Sequence, residues 1–398
     1  MAYISPYVDD LIKSFGLTSI EFIAIVIALT ISISVFIIVI LNYSKSIMNI
    51  SYFVYSNTRV KAIGVPFVYS NKINIILDAK GVTDAANKIN DAGYDINLSE
   101  IKNPEKLERA LNSIYVNECE NIVSSSPEKV KPFFNAYLSI LESEQIKIAL
   151  KSKKMKLSAS DIRNRLIPTG VISDRIIDDI AESESIEDAI LMLQKTQYVE
   201  VLSNAFSEYT KLKSTLPFEL ALDTFTFDCI RKSVGQIDDD VSHPIKSFVK
   251  IYSDISNIKM LLRAKKDNFD SLIIGKYILP GGSISMDRIK ELSESKTMVE
   301  LISNLKNTIY GACLERKIQD FESTDSTYPF ESELDKFLLE FVLNLSTMHN
   351  LGVGPMINFI VAKQYEIRNL KAILSGLAES VPTSAIKSIL ITHDEVYA

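Results

Sequence analysis

The side chains of this sequence that could ligate a metal or act in catalysis are few and lie far apart. Three cysteines form no C-x-x-C pair, and three histidines have no second histidine or cysteine at metal-ligand spacing. These residues are Cys119, Cys229, Cys313, His243, His349 and His393. Neither a zinc site nor a disulfide framework is indicated, and isolated cysteines predict a reducing, cytoplasmic setting for most of the chain.

The one dense acidic run is formed by Asp238, Asp239 and Asp240. The run could bind a cation, but it lacks the pattern of a calcium-binding loop, so we favour a solvated loop between domains. The sequence contains neither G-x-x-x-x-G-K-[ST] nor G-x-G-x-x-G, and Gly354 and Pro355 make a turn before a helix instead of a phosphate cradle. We therefore expect no catalytic, cofactor-binding or metal-binding residue.

Length and composition indicate a large folded chain. Its 398 residues are 47% hydrophobic, which is enough to bury a substantial core, and the length allows two or three domains. The net charge is −7, and lysine and arginine are spread along the chain. A nucleic-acid partner is not expected, because binding to phosphates needs a concentrated basic surface.

The first element is an apolar segment near the N-terminus. Residues 22–41 read FIAIVIALTISISVFIIVIL, twenty residues without a charge, proline or glycine. As a helix, this stretch is long enough to cross the roughly 30 Å hydrocarbon layer of a membrane. A signal peptide or a buried core helix are the alternatives, but Asp9, Asp10 and Glu21 replace the basic leader of a signal peptide. We interpret the segment as a single transmembrane helix.

Charges on either side of this span predict its orientation. Lys45, Arg59 and Lys61 follow the span, whereas only Lys13 offsets the acidic residues before it. Basic residues concentrate on the cytoplasmic side of a membrane. The large C-terminal part is therefore expected in the cytoplasm, held at the cell membrane by one N-terminal helix.

Beyond residue 100 the pattern is helical, and it repeats. Apolar residues recur at spacings of three and four, and proline and glycine fall mostly between the periodic segments. QIKIALKSK at 145–153 returns as NIKMLLRAK at 257–265 and NLKAILSG at 369–376, each shifted by 112 positions. The same shift relates Leu222, Asp223, Phe225, Gly170, Ser173, Glu182, Thr196 and Tyr198 to Leu334, Asp335, Phe337, Gly282, Ser285, Glu294, Thr308 and Tyr310. Three related helical units are predicted.

The repeat defines the expected domains. They are a membrane anchor at 1–50, a helical segment at 51–104, and helical units at 105–215, 216–328 and 329–398. The third unit has no counterpart of the helix that ends in Thr-x-Tyr, but VTDAANKINDAGY at 82–94 resembles SIEDAILMLQKTQY at 185–198. We expect segment 51–104 to dock on the last unit and close three stacked units into a ring or funnel. Duplication of part of the third unit is the alternative, because 59–62 also resembles 369–372.

Four segments together resemble a known family. They are YSNTRVKAIG at 55–64, FELALDTF at 218–225, NIKMLLRAK at 257–265 and GPMINFIVAKQYEIRNLKAILSG at 354–376. Over about residues 50 to 392, the sequence is similar to the C subunit of archaeal and bacterial A/V-type ATP synthases, which is related to the d subunit of the vacuolar proton pump. The N-terminal span lies outside the usual pattern of that family.

The resemblance implies an all-α body of three similar units in a pseudo-threefold, funnel-like arrangement on the cytoplasmic face of a rotor ring. It implies a non-catalytic central-stalk subunit that couples the central shaft, subunits D and F, to the ring proteolipid for proton or sodium translocation and ATP synthesis. No active site, cofactor or small-molecule substrate is implied, and lipid would be a partner through the span alone. The residues leave open a membrane-anchored helical scaffold or adaptor unrelated to rotary ATPases.

Charged side chains of the repeated helix are the remaining candidates for a binding surface. They are Lys147, Lys259, Lys371, Arg263 and Arg368. These residues could contact the shaft or the ring, but we favour solvated outer faces, which is the ordinary position of charges on a helix.

Overall fold

The computed structural model describes residues 14–16, 18–97, 104–267 and 274–393. Within these residues the chain is helical and contains no β-strand; Thr169 and Ile172 form only an isolated antiparallel bridge. The all-α class is thereby confirmed, whereas the funnel-like arrangement stays a prediction. The chain divides into two compact units, Met1–Val54 and Tyr55–Ala398.

Helix α1, Ser19–Ile63, is a single helix of 45 residues. Its stretch Ile20–Leu41 spans 22 residues and contains an 18-residue window with a mean hydropathy of 3.1 and no buried residue, so it is long and apolar enough to cross a membrane. The hydroxyls of Thr30 and Ser34 donate to the carbonyls of Val26 and Thr30 at 2.8 Å. Because these polar groups are satisfied within the helix, they do not prevent an apolar surrounding.

Short helices and six long helices make up the described part of the larger unit. The short helices are α2 Lys72–Leu77, α3 Val82–Asp91, α6 Ala159–Arg165, α7 Asp174–Glu182, α8 Ile186–Leu191, α9 Tyr198–Leu212, α12 Met286–Ser293, α13 Met298–Asn304, α14 Gly311–Glu315, α15 Ile318–Thr324 and α18 Thr383–Ser388. The long helices are α4 Pro104–Ser125, α5 Lys131–Lys154, α10 Leu216–Val234, α11 Asp239–Lys266, α16 Tyr328–Met348 and α17 Gly354–Ala378. Turns of 3-10 helix lie at Phe67–Tyr69 and Gly275–Tyr277.

Two helices begin at serines that occupy the same position in the sequence repeat. Ser173 caps α7 by accepting the backbone N–H of Ile176, and Ser285, 112 positions later, caps α12 by accepting that of Arg288. A serine at this position satisfies an amide that has no partner within the helix. The shared serine therefore fixes the same helix start in two units.

Helix ends repeat as well. Lys213 ends α9 in a left-handed conformation with φ of 51°, and Asp325, 112 positions later, ends α15 with φ of 49°. Lys156 after α5 and Ser380 after α17 show the same relation over twice that shift, with φ of 56° and 58°. A left-handed residue after a helix lets the chain reverse, and it is unusual for residues other than glycine. The units share backbone turns and not only helix faces.

The six long helices pack in a closed order. Helix α5 packs on α4 and α10, α11 on α10 and α16, and α17 on α16 and α4. Apolar side chains fill these contacts: Phe133, Phe218, Phe248, Phe330 and Phe359 are each at most 2% exposed. Because the last helix of the series contacts the first, each of these six helices packs against a long helix on both sides.

Candidate functional site

A lysine of each repeat lies at a junction between consecutive predicted units. The three ion pairs are Lys147 with Asp223 at 2.5 Å, Lys259 with Asp335 at 2.5 Å, and Lys371 with Glu108 at 3.3 Å. They join α5 to α10, α11 to α16, and α17 to α4. The third pair connects the last predicted unit to the first, so the ionic contacts run in a cycle.

For Lys147 and Lys259 these contacts correct the expectation of solvated outer faces, whereas Arg263 and Arg368 keep 63% and 42% of their side chains exposed. The side chains of Lys147 and Lys259 are only 10% and 19% exposed. Burial lowers the pKa of Lys147, but the carboxylates of Asp223 and Glu144 outweigh it and raise that pKa above its usual value. Helical periodicity showed that these lysines share a face, but not that another unit packs against it.

Arg263 extends the second junction. Its guanidinium donates to both carboxylate oxygens of Glu331, at 2.9 and 2.5 Å, while 63% of the arginine side chain stays exposed. At the first junction, Lys151 pairs with Glu219 at 2.8 Å, and both members are shifted by 112 positions from the second pair. A two-pronged Arg–carboxylate pair fixes orientation better than a single contact.

The aspartates of the first two junctions differ in burial and in the number of their hydrogen-bond partners. Asp335 is 5% exposed and accepts bonds from Lys259, Tyr365 at 2.6 Å and Arg368 at 2.7 Å. Asp223 is 50% exposed, and Lys147 is the partner that the structure gives it. Burial raises the pKa of both carboxyls, but at Asp335 the neighbouring cations outweigh burial and lower it, whereas the pKa of Asp223 stays raised.

A buried acid and a tyrosine form a second repeated set. Tyr198 donates to Glu142 at 2.6 Å, Tyr310 donates to Asp254 at 3.0 Å, and Tyr94 donates to Glu366. The acids are 112 positions apart, and the third tyrosine comes from segment 82–94 instead of from the last unit. Burial, and then the nearby carboxylate, raise the pKa of each tyrosine, so each hydroxyl keeps the proton that it donates.

Glu366 joins three parts of the chain. It is 0% exposed and accepts the backbone N–H of Phe67 at 2.5 Å and the ammonium of Lys363 at 3.0 Å, in addition to the Tyr94 hydroxyl. The Lys363 ammonium also lies 4.5 Å from the centre of the Tyr94 ring. One carboxylate of α17 thus holds both the 3-10 turn at Phe67 and the end of segment 82–94.

A third repeated set consists of side-chain amides. Asn257 accepts from the N–H of Leu279 at 2.8 Å and donates to its carbonyl at 2.8 Å, and Asn369 does the same with Ile391 at 2.9 and 2.7 Å. In the first unit, Gln145 accepts the N–H of Ile167 at 2.9 Å. These amides open the repeated motifs found in the sequence, and each one pins a returning loop to its long helix.

Glycines lie directly over two of the buried acids. A Cβ on Gly170 would be 1.9 Å from Oε1 of Glu142, and one on Gly282 would be 2.0 Å from Oδ1 of Asp254. Gly170 also has φ of +52°. The space for the acid therefore depends on the missing side chain at the repeated position.

We expect Gly170→Ala to lower the free energy of unfolding by about 2 kcal/mol, because the methyl group displaces Glu142 and strains the backbone. Urea unfolding of the detergent-solubilised chain, followed by circular dichroism, measures the change. Gly235→Ala is the matched control, since Gly235 has an ordinary helical conformation and its nearest neighbour would be 3.4 Å away. Equal stability of the two variants would contradict the argument.

The other residues considered for chemistry lie apart from these sets. Cys119 is buried, Cys229 and Cys313 are partly buried, and all three are free thiols. Rings of His243 and His349 lie 6.3 Å apart, and burial, then the charge of His243, lower the pKa of His349. His393 donates its backbone N–H to the carbonyl of Val68 at 3.0 Å, and its ring centre lies 6.1 Å from that of Tyr69. Among the residues whose positions are described, no group of three or more His, Cys, Asp or Glu is placed to hold a metal.

The acidic run is not a loop. Asp239 begins α11, and Asp238 stands at its N-cap position. Asp238 pairs with Lys129 at 3.2 Å and Asp239 with Lys246 at 2.7 Å. Acidic residues at a helix start are stabilised by the unpaired N–H groups there, which is the physical signal that the loop interpretation missed.

Comparison with known proteins gives consistent matches over most of the chain. The model of the ATP synthase (C/AC39) subunit family matches residues 56–389. The C subunit of the A-type ATP synthase of Methanocaldococcus jannaschii is 29% identical over 357 residues, which is 88% of each chain. That of Methanosphaera stadtmanae is 29% identical over 388 residues, 96% of this chain and 99% of the relative. That of Methanothermobacter thermautotrophicus is 29% identical over 355 residues, 89% of this chain and 91% of the relative.

Proposed function

This chain belongs to the ATP synthase (C/AC39) subunit family, and from that premise we propose that it is a non-catalytic central-stalk subunit. In this role it couples the central shaft, subunits D and F, to the membrane rotor ring during proton or sodium translocation and ATP synthesis. The observation that supports the coupling role best is the cycle of ion pairs that joins the repeated helices.

A coupler between two rotating parts must pass force without absorbing it. Close-packed helices do this, because a dense core has few arrangements into which it can relax. Helices α4, α5, α10, α11, α16 and α17 pack in a closed order, and a salt bridge or bidentate pair marks the junctions between units. Torque applied at one unit would therefore reach the other two through packed contacts.

The proposal assigns the chemistry of ATP to other subunits. The repeated polar sets are occupied by structural bonds: Glu142, Asp254 and Glu366 each hold a tyrosine and a backbone N–H. In this proposal these carboxylates serve packing. An adaptor unrelated to rotary ATPases is no longer supported, since the family match covers most of the chain.

We propose further that units 105–215, 216–328 and 329–398 surround the site that receives the shaft, and that segment 51–104 completes the third unit. Contacts of Phe67 and Tyr94 with Glu366 support this completion. Residues 1–50 would anchor the protein in the cell membrane, with the body on the cytoplasmic side. The apolar stretch Ile20–Leu41 has the length that an anchor needs, about 33 Å at 1.5 Å per residue.

Removal of residues 1–41 tests the anchor. We expect the truncated chain, expressed without its partner subunits, to move from the membrane fraction to the soluble fraction, because the apolar stretch is gone. The control replaces Thr30 and Ser34 by leucine, which preserves the apolar length and should leave the chain in the membrane. Retention of the truncated chain in carbonate-washed membranes would contradict the anchor.

Purification from membranes tests the partners. A C-terminally tagged chain, solubilised in mild detergent, is expected to bring subunits D and F and the small ring proteolipid with it, identified by mass spectrometry. Catalytic subunits would follow through the shaft. Recovery of the chain free of D, F and proteolipid, under conditions that keep the catalytic head assembled, would contradict the central-stalk position.

A further inference from the structure

A cavity of about 360 Å³ lies between α5, α10, α11 and the 3-10 turn Gly275–Tyr277. It adjoins the first ionic junction, and the Lys147–Asp223 pair forms part of its wall. Beside the third ion pair, between α17 and α4, a pocket lined by Lys371, Glu108 and Val82 has an open space of only about 20 Å³. The first and third junctions therefore differ in the open space beside their ion pairs.

Sequence differences between the units explain this room. Tyr365 and Arg368 of α17 reach Asp335 and cover it. The residues 112 positions earlier on α11 are Ser253 and Ser256. Ser253 is buried and donates its hydroxyl to the carbonyl of Leu279 at 3.2 Å. Ser256 lines the cavity, and its short side chain leaves the space next to Asp223 unfilled. The cavity thus includes the room that an arginine occupies at the same position of the repeat in the next unit.

The cavity wall carries negative charge, which suits the arginine that the first junction lacks. Glu144 and Asp223 share the single ammonium of Lys147, at 2.8 and 2.5 Å, and keep 52% and 50% of their side chains exposed. The other basic groups of the wall are engaged elsewhere, Lys259 with Asp335 and Arg263 with Glu331. Glu144 and Asp223 together therefore leave one negative charge uncompensated, and Asp267 adds a further carboxylate to the same wall.

The shape of the wall favours a planar cation. Phe227 and Tyr252 lie nearly parallel, with 8° between their ring planes and 6.5 Å between ring centres, and both rings line the cavity. A guanidinium group stacks on aromatic faces and binds carboxylates with two N–H groups, whereas an ammonium does neither as well.

We propose that this cavity receives an arginine side chain of a partner subunit, which binds Asp223 and Glu144 as Arg368 binds Asp335 within the chain. The identification of that partner as the central shaft rests on the proposed function. Because the second junction already contains its own arginine, the shaft would bind at the first junction. A body with nearly threefold symmetry would then bind its partner in one rotational orientation.

Ser256→Arg tests the inference by supplying the missing arginine from the chain itself. Binding of the purified D–F subcomplex to the full detergent-solubilised chain is expected to weaken by about tenfold to a hundredfold, since a charge-assisted pair is lost to the internal competitor. Asp223→Asn should weaken binding by about tenfold and reduce its dependence on salt. Ser247→Arg adds the same charge to the opposite side of α11 and should leave binding unchanged.

Thermal unfolding of each variant shows that the loss is not a folding defect, and Ser256→Arg is expected to unfold no earlier than the unaltered chain. Unchanged shaft binding by Ser256→Arg, or an equal loss in Ser247→Arg, would overturn the inference and leave the central-stalk role standing. Failure of the unaltered chain to bind the D–F subcomplex would instead overturn the proposed function, and the assigned partner with it.

Discussion

Replacing Glu366 by alanine is expected to lower the free energy of unfolding by about 3–5 kcal/mol. The carboxylate is 0% exposed and is the shared acceptor of the Phe67 N–H, the Tyr94 hydroxyl and the Lys363 ammonium. Its removal leaves a buried cation and two buried donors unpaired, which costs far more than the loss of one surface contact. Segment 82–94 would lose its polar attachment to α17.

Urea unfolding of the full chain in detergent measures this loss. Glu379→Ala is the matched control, because Glu379 ends the same helix and is exposed, so its change should stay within about 0.5 kcal/mol. Hydrogen exchange adds a local reading: amides of α3 should exchange faster in Glu366→Ala, while those of α10 keep their protection. A loss below about 1 kcal/mol would show that the buried carboxylate does not hold these parts together.

Asp335→Ala should cost about 3 kcal/mol, whereas Asp223→Ala, 112 positions earlier, should cost about 0–1 kcal/mol. The two aspartates occupy the same place in the repeat and both bind a lysine. The Asp335 side chain is 5% exposed and that of Asp223 is 50% exposed. Asp335 also has two further partners, Tyr365 and Arg368. Equal effects of the two substitutions would contradict the claim that the junctions differ in strength.

The pH dependence of stability should separate the same two residues. The pKa of Asp335 is lowered, so its contribution is present above the unfolded value of about 3.9 and is lost as pH falls through the folded pKa. The curves of the unaltered chain and Asp335→Asn should therefore converge in acid. The pKa of Asp223 is raised, so the unaltered chain should lose stability relative to Asp223→Asn as pH rises from the unfolded value of about 3.9 through that raised pKa. Slopes of the same sign would contradict the contrast.

The repeat was visible in the sequence because it preserves the residues that fix backbone geometry. Ser173 and Ser285 start helices, and Gly170 and Gly282 make room for a buried acid, so both pairs keep their spacing of 112 positions. Such residues report local structure, and local structure depends on nearby sequence. The all-α class followed from a different pattern, the recurrence of apolar residues at spacings of three and four.

The junctions could not be predicted in the same way. A lysine at 147 or 259 occupies a polar position on a helix whether it faces solvent or a neighbouring unit, and its partner lies 76 residues away. The bond from Tyr94 to Glu366 joins residues 272 positions apart. A usable signal existed, because Glu142, Asp254 and Glu366 keep an acid at the shift of 112 positions, and a repeated acid within an apolar helix indicates a repeated buried partner.

The cavity could not be predicted from the sequence. Its position follows from comparing two units of the repeat, and that comparison has meaning only once the contacts of Asp335 are known. Ser256 is an unremarkable serine until Arg368 is seen to cover Asp335. Once the contact is known, the missing arginine in the second unit and the open volume beside Asp223 become one observation. Departures from an internal repeat are therefore as informative here as the repeat itself.

Ion uptake driven by ATP tests the coupling role most directly. The complex is reconstituted into vesicles with and without this chain, and ATP hydrolysis and ion uptake are measured in the same preparation. The coupling role predicts that hydrolysis continues without ion uptake when the chain is omitted, and that adding the chain back restores uptake. Ion uptake at the full ratio to hydrolysis in the absence of the chain would contradict that role.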